Sequence, residues 1–226
     1  TMDGGLGFWR TTGAVFAIIL MVVVPIKVVG AESKFSCGTM DCDLFEADLK
    51  NHASLQNGAK LAVNYCMGCH SFKYSRWERV ASDTGIPNQM MMDNMVFADQ
   101  KIGDLMEISM PADKSKEWFG AVPPDLTLVA RSRSPEWVYT YLRTFYADDN
   151  RPLGVNNKVY QDVGMPHALL DLQGLAACAP GSVISEYGGI KRDILTGNDI
   201  LDDPCGELKI IEEGLLSPKQ FDAEVY

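Results

Sequence analysis

The hydrophobic pattern of the chain begins with one long apolar segment. Residues 11–29 are nearly all apolar, Arg10 precedes them, and small residues follow up to Ala31. This arrangement fits a signal peptide cleaved after Ala31, and its length also fits an uncleaved anchor that spans a bilayer. The expected division is an N-terminal apolar segment, residues 1–31, and one folded domain, residues 32–226.

Helical periodicity first occurs in the stretch that ends near residue 66. Ser54 is the predicted N-cap of this helix, because serine accepts a hydrogen bond from the first free backbone N–H groups. Apolar residues then recur at helical spacing. The positions that share this apolar face are Leu55, Ala59, Ala62, Val63 and Cys66.

Two later helices are predicted from Ser-Pro pairs, because serine caps a helix and proline is favoured at its first position. These pairs begin at Ser134 and Ser217. Residues 71–124 predict loops and short helices, with a helical segment within residues 96–110. A small hairpin is expected within residues 182–190. The whole pattern favours a mostly α-helical domain.

Composition limits the classes of partner. The chain has 226 residues, of which 46% are hydrophobic, enough for one substantial core. Its formal charge of -10 and its pI near 4.7 argue against nucleic acid, which requires a basic surface. An acidic surface suits either solubility or a transient encounter with a basic partner. The acidic pairs are Asp148-Asp149, Asp202-Asp203 and Glu212-Glu213.

The sequence Cys66-Met67-Gly68-Cys69-His70 is the attachment pattern of c-type haem. Each thiol can add to a haem vinyl group, and the histidine directly after them becomes the proximal iron ligand. A redox dithiol is an alternative. Another is a zinc site in which Cys37 and Cys42 complete a set of four thiolates.

The four cysteines outside this motif form an even set, which in an exported protein predicts disulfides. Cys178 and Cys205 are the first pair we expect, because their bond would close a long loop and restrict the unfolded chain. Cys37 with Cys42 is the second expected pair.

The sixth iron ligand has few candidates. A thioether ligand stabilises ferrous iron and raises the reduction potential. Met165 lies between a glycine and Pro166, a rigid loop position, whereas the methionines of residues 90–95 can serve as core filler. His167 is the second candidate and His52 the third.

Several sequence blocks together resemble cytochrome c1, the haem subunit family of the ubiquinol:cytochrome c oxidoreductase, or cytochrome bc1 complex. The resemblance covers most of the chain after about residue 50, and the blocks occur in the family's order. They are Asn64-Tyr65-Cys66-Met67-Gly68-Cys69-His70, Pro123-Pro124-Asp125-Leu126-Thr127 followed by Arg131 and Arg133, Met165-Pro166, and Glu212-Glu213-Gly214 before Ser217-Pro218.

The resemblance implies one covalent haem c and a set of site residues. Cys66 and Cys69 would form the thioether links, and His70 and Met165 would be the axial ligands. Further haem contacts implied in the same way are packing by Pro123 and Pro124 and a propionate partner at Arg131 or Arg133. A rigid proline turn and solvated arginines are the alternative interpretation of these last four residues.

The resemblance also implies a mostly α-helical c-type cytochrome domain with family-type insertions and a membrane anchor. Such a subunit accepts one electron from a Rieske iron–sulfur protein and passes it to a cytochrome c, within a dimeric respiratory complex that contains cytochrome b. It performs no bond chemistry on a substrate. A free-standing membrane-anchored cytochrome c that serves an oxidase or reductase is the competing redox hypothesis.

The position of the anchor differs from the family pattern. Members normally carry a membrane helix after the haem domain, whereas this sequence stops at Tyr226 within a predicted helix. We expect either an incomplete C-terminal end or anchoring by the N-terminal apolar segment. The haem domain is expected in the periplasm, with the intermembrane-space face of the mitochondrial inner membrane as the alternative.

Overall fold

The computed structural model describes residues 36–38, 40–179, 191–192, 199–200 and 205–226. These residues belong to one compact unit, Lys34–Tyr226. The N-terminal apolar segment and the hairpin predicted within residues 182–190 lie outside the described residues. Of the helices in the described part of the chain, none is both long and apolar enough to cross a bilayer.

The first helix, α1, comprises His52–Leu61 and continues into a π-helical turn, Ala62–Cys66. Asn51 caps this helix, because its side chain accepts a hydrogen bond from the Ser54 backbone N–H. The prediction of Ser54 as the N-cap is therefore wrong. Asparagine is an equally good capping residue, and its carboxamide already satisfies the donor of residue 54.

The chain around α1 alternates short strands and helices. Strands β1 (Ser36–Cys37) and β2 (Met40–Asp41) form an antiparallel pair before it. After the π-helical turn the order is β3 (Phe72–Arg76), α2 (Trp77–Thr84), α3 (Asn88–Met95), β4 (Leu105–Met106) and α4 (Ala112–Phe119).

The prediction of a helix within residues 96–110 is wrong. That segment holds β4, which pairs antiparallel with β3. The Gln100 side chain donates to the backbone oxygens of Leu105 and Glu107, so side-chain hydrogen bonds satisfy acceptors that a helix would satisfy with its own N–H groups. The methionine-rich helix α3 packs beside this segment, with Met91 fully buried.

The middle of the chain forms α5 (Val129–Ser132), α6 (Pro135–Arg143), and an antiparallel pair of β5 (Phe145–Ala147) and β6 (Val155–Asn157). The start of α6 is confirmed: Ser134 Oγ accepts a hydrogen bond from Trp137 N at 3.2 Å, and Pro135 is the first helical residue. The Tyr141 side chain of α6 packs against a hydrophobic core that contains Phe145 and Val163.

The remaining elements are α7 (Leu170–Gln173), β7 (Gly174–Cys178), β8 (Lys191–Arg192), β9 (Asp199–Ile200), β10 (Leu208–Glu213) and α8 (Pro218–Val225). Strands β7 and β10 pair antiparallel. A Cβ atom at Gly174, where φ is +84°, would lie 2.1 Å from the Glu212 carbonyl oxygen, so this crossing requires glycine. The helix predicted at Ser217 is confirmed.

Both expected disulfides are present, Cys37–Cys42 and Cys178–Cys205. Helices contribute more of the described residues than strands do, and every described strand belongs to a two-stranded antiparallel pair. Two hydrophobic cores result. One surrounds Trp77, Met91 and Met106, and the other surrounds Phe145 and Val163.

Candidate functional site

The two cysteines of the motif lie at the end of the helical turn that extends α1. The Met67 N–H donates to the Ala62 oxygen at 3.0 Å, and the Cys69 and His70 N–H groups both donate to the Cys66 oxygen, at 3.1 and 2.9 Å. The chain thus folds back in one tight turn. This turn holds Cys66, Cys69 and His70 close together in space, as the haem hypothesis requires.

The thiols of the motif are chemically distinct from the other cysteines. Cys66 and Cys69 are free and partly buried, whereas the other four cysteines form disulfides. Burial raises the pKa of the Cys66 thiol, and the neighbouring Cys69 adds to this shift. Neither thiol takes part in a disulfide, so the pair is available for covalent attachment of a cofactor.

The structure contradicts the zinc alternative. Cys37 and Cys42, which that site requires as thiolates, are joined to each other. No group of three or more His, Cys, Asp or Glu side chains is arranged to hold a metal ion within the described ranges. The interpretation of the cysteines as a four-thiolate zinc site is therefore wrong.

His70 is buried, and its ring is oriented by a backbone carbonyl. Its Nδ1 lies 2.7 Å from the Pro124 oxygen. A carbonyl oxygen only accepts, so Nδ1 is the donor, which in the neutral imidazole leaves the lone pair on Nε2. A histidine that ligates a metal commonly donates its other N–H in this way, which fixes the ring and strengthens the ligand.

The proline block is attached to the strand that follows the motif. The Leu126 N–H donates to the Ser71 oxygen at 2.9 Å, and the Asp125 carboxylate accepts from the Lys73 N–H at 2.7 Å. Partial burial acts to raise the pKa of Asp125, but the N–H groups of Lys73 and Thr127 donate to its carboxylate and the net effect lowers this pKa. These hydrogen bonds fix the backbone next to Pro124, whose carbonyl oxygen contacts His70.

Met165 lies in a loop on the second core. It is half-buried, packs beside Phe145 and Val163, and its sulfur accepts a hydrogen bond from the Tyr141 hydroxyl at 3.3 Å. Burial raises the pKa of Tyr141, and Tyr160 contributes to the shift. The methionines of α3 and β4 belong mainly to the first core, where they serve as filler, although Met90 is exposed.

The two alternative histidines have different environments. His52 is exposed at the first turn of α1, and the rest of α1 and the π-helical turn, about 20 Å of helix, separate it from Cys66. His167 is buried and its ring stacks on Phe145 at a centroid distance of 4.8 Å. Burial lowers the pKa of His167 to about 4, while hydrogen bonding with Gln173 and the Gly174 backbone acts in the opposite direction. His167 is therefore the alternative ligand that an experiment must distinguish from Met165.

The predicted arginines are on the surface. Arg131 and Arg133 are exposed, and in the described part of the chain neither forms an ion pair. The Arg133 guanidinium lies over the Trp137 ring, 5.4 Å from its centroid. Both cations are thus available to a carboxylate, and pairing with a propionate stays a prediction.

Two contacts of the expected axial ligands were not predicted from the sequence. The Pro124 carbonyl and the Tyr141 hydroxyl contact the two expected axial ligands. No sequence pattern identifies the atom that a hydroxyl or a carbonyl will contact.

The donor set fits a c-type haem. It offers two free thiols three positions apart, an imidazole whose Nε2 is available for a metal, and a thioether supplied by a separate loop. An aliphatic and aromatic environment surrounds the thioether, as a large apolar cofactor requires.

Comparison with known proteins gives two relatives. No protein-family model matches the chain. The chain is 49% identical to cytochrome c1 of Allochromatium vinosum over 180 residues, which are 79% of this chain and 68% of that protein. It is 43% identical to a protein of Nitrosomonas europaea named ammonia monooxygenase gamma subunit over 135 residues, 60% of this chain and 57% of that protein.

Proposed function

Because the chain belongs to the cytochrome c1 family, the haem-bearing electron-transfer subunits of cytochrome bc1 complexes, we propose that it accepts one electron from a Rieske iron–sulfur protein and passes it to a cytochrome c. It is a redox subunit, and the quinol chemistry belongs to the assembled oxidoreductase. The observation that carries the proposal is the His70 imidazole, held by the Pro124 carbonyl beside two cysteines that take no part in disulfides.

The residues proposed to hold the cofactor are those of the motif and one methionine. Cys66 and Cys69 would bind the porphyrin through thioether links, and His70 and Met165 would bind the iron. When bound, the haem supplies an iron that changes its charge by one electron. The chain orients the two ligands, keeps water from the metal, and sets the potential by the axial pair and the apolar surroundings.

The neighbouring residues take supporting roles. Pro124 orients His70 through its carbonyl oxygen, and Pro123, which is half-buried beside it, packs against the haem. Arg133 pairs with a propionate, because its guanidinium has no carboxylate partner among the described side chains and a guanidinium matches a carboxylate in two hydrogen bonds. Arg131 is the other candidate for this pairing.

The family also supports a membrane-associated assembly. The proposed partners are cytochrome b and a Rieske subunit in a dimeric complex, with a cytochrome c as acceptor. Residues 1–31 are proposed as an anchor, which would place the haem domain, residues 32–226, in the periplasm. The exposed acidic residues Asp149, Glu212 and Glu213 and the charge of -10 favour a basic acceptor.

Affinity purification of the tagged full-length chain from membranes of its source tests the function. We expect a cytochrome b and a Rieske protein to co-purify in stoichiometric amounts, and ubiquinol to reduce the haem only while the Rieske protein is present. Addition of a quinol-site inhibitor is the control, since it must abolish this reduction.

Two other results would contradict the proposal. Purification with a terminal oxidase or reductase and without cytochrome b would indicate a free-standing cytochrome. Purification with an oxygenase would indicate the assembly that the name of the Nitrosomonas relative describes.

A further inference from the structure

The side chain of Tyr141 has two parts with different surroundings. Its ring stacks on Trp137 with a centroid distance of 4.9 Å and an interplanar angle of 10°, and it meets the edge of Phe145 at 5.2 Å. The contact with Trp137 follows the helical repeat of four residues along α6, whereas Phe145 is the first residue of β5. A phenylalanine would make all of them, so packing alone does not account for the hydroxyl.

The hydroxyl of Tyr141 donates to a sulfur atom. Among the described residues its recorded hydrogen-bond partner is Met165 Sδ at 3.3 Å. Hydroxyl groups of buried tyrosines usually find a strong acceptor such as a carbonyl, and a thioether is a weak one. The hydroxyl is therefore placed to donate a hydrogen bond to the Met165 sulfur.

We propose that Tyr141 is a positioning residue for Met165, which holds the thioether by a hydrogen bond to one sulfur lone pair and leaves the other lone pair for the haem iron. This inference rests on the proposed function, in which Met165 is the distal ligand.

Two consequences follow from this hydrogen bond. It withdraws electron density from the sulfur, which makes the thioether a weaker donor, disfavours ferric iron and raises the reduction potential. It also restricts the side chain, and for the exchange of Met165 against another ligand this restriction outweighs the weaker donor strength, so that loss of the hydroxyl eases replacement. A competing imidazole is close in sequence, because His167 is buried two positions after Met165.

Tyr141→Phe in the full-length haem protein tests the proposal, because it removes the hydroxyl and keeps the ring. The measurements are the midpoint potential from a redox titration, the weak far-red absorption band of sulfur-ligated ferric haem, and the binding of added imidazole. We expect a lower potential and imidazole binding tightened several-fold. Thermal unfolding verifies that the variant is folded.

Tyr139→Phe is the matched control on the same helix. The Tyr139 hydroxyl donates to the Asp222 carbonyl at 3.5 Å and has no recorded contact with Met165. This variant should keep the parent potential and the parent affinity for imidazole. A shift of equal size in both variants would overturn the proposal, because it would show a general effect of hydroxyl loss on α6.

Met165→Leu separates the failure of this inference from the failure of ligand assignment. Loss of the far-red band in Met165→Leu, together with parent potential and parent imidazole affinity in Tyr141→Phe, would overturn the role of Tyr141 alone. Persistence of the band in Met165→Leu would show that Met165 is not the ligand, which would overturn both.

Discussion

The orientation of a single imidazole connects the motif to the rest of the site. His70 contacts the Pro124 carbonyl, and the position of that carbonyl depends on the next residue, because the Asp125 carboxylate accepts from the N–H groups of Lys73 and Thr127. These hydrogen bonds join the proline block to β3. The Asp125 side chain thus fixes the backbone that orients His70.

Asp125→Asn should lower the free energy of unfolding at pH 7 by about 1 kcal/mol, because a carboxylate accepts stronger hydrogen bonds than an amide. The pKa of Asp125 is lower in the fold than in the unfolded chain. Its stabilising effect is therefore complete above the unfolded value near 3.8 and is lost as pH falls through the lowered pKa. The measurement is urea unfolding between pH 7 and pH 3, with Asp149→Asn, an exposed aspartate, as control.

The difference between parent and Asp125→Asn should shrink as pH falls below 3.8. A difference that stays constant over this range would mean that the charge of Asp125 makes no contribution. An equal loss of unfolding free energy in Asp125→Asn and Asp149→Asn at pH 7 would also mean that the charge of Asp125 makes no contribution.

Elements were predictable where one strong local signal decides the conformation. The Ser-Pro starts at Ser134 and Ser217 and the helix before Cys66 are confirmed, because capping and helical spacing involve only neighbouring residues. The segment 96–110 was not predictable, because β4 exists through pairing with β3, about thirty residues away. The pair of β7 and β10 was missed for the same reason, because these strands are also far apart in the sequence.

Helix α6 connects the two ends of the described unit. The Arg143 guanidinium forms ion pairs with Asp43, in the connector before α1, and with Asp222 in α8, where Nε and Oδ1 are 2.8 Å apart. It also lies over the Tyr139 ring at 4.5 Å. One partly buried cation thus holds three separate parts of the chain together.

Arg143→Gln should lower the free energy of unfolding by about 1–3 kcal/mol, because it leaves two partly buried carboxylates without their cation. Arg79→Gln is the matched control, since Arg79 pairs with Asp83 on the exposed surface of α2, where water and salt screen the pair and it contributes little to stability. Urea unfolding at pH 7 measures both. Equal losses in the two variants would contradict the role of Arg143 as a structural connection.

At the scale of the whole molecule, the chemistry was more predictable from the sequence than the architecture. Covalent attachment depends on residues that are adjacent in sequence, so Cys66, Cys69 and His70 could be identified before any fold was known. The proposed distal ligand, Met165, packs on another core, and its selection from the sequence depended on the rigidity of the Met165-Pro166 loop. Contacts such as His70 with Pro124 require the folded chain, because they join residues 54 positions apart.

The central claim is that this chain carries one covalent haem c at Cys66 and Cys69. The most direct measurement is a pyridine haemochrome spectrum of the purified chain after extraction with acidified acetone, which removes haem that is not covalently bound. The account predicts a c-type spectrum that stays with the polypeptide, at one haem per chain. A chain that has no haem, or that releases all of its haem into the acetone, would contradict it.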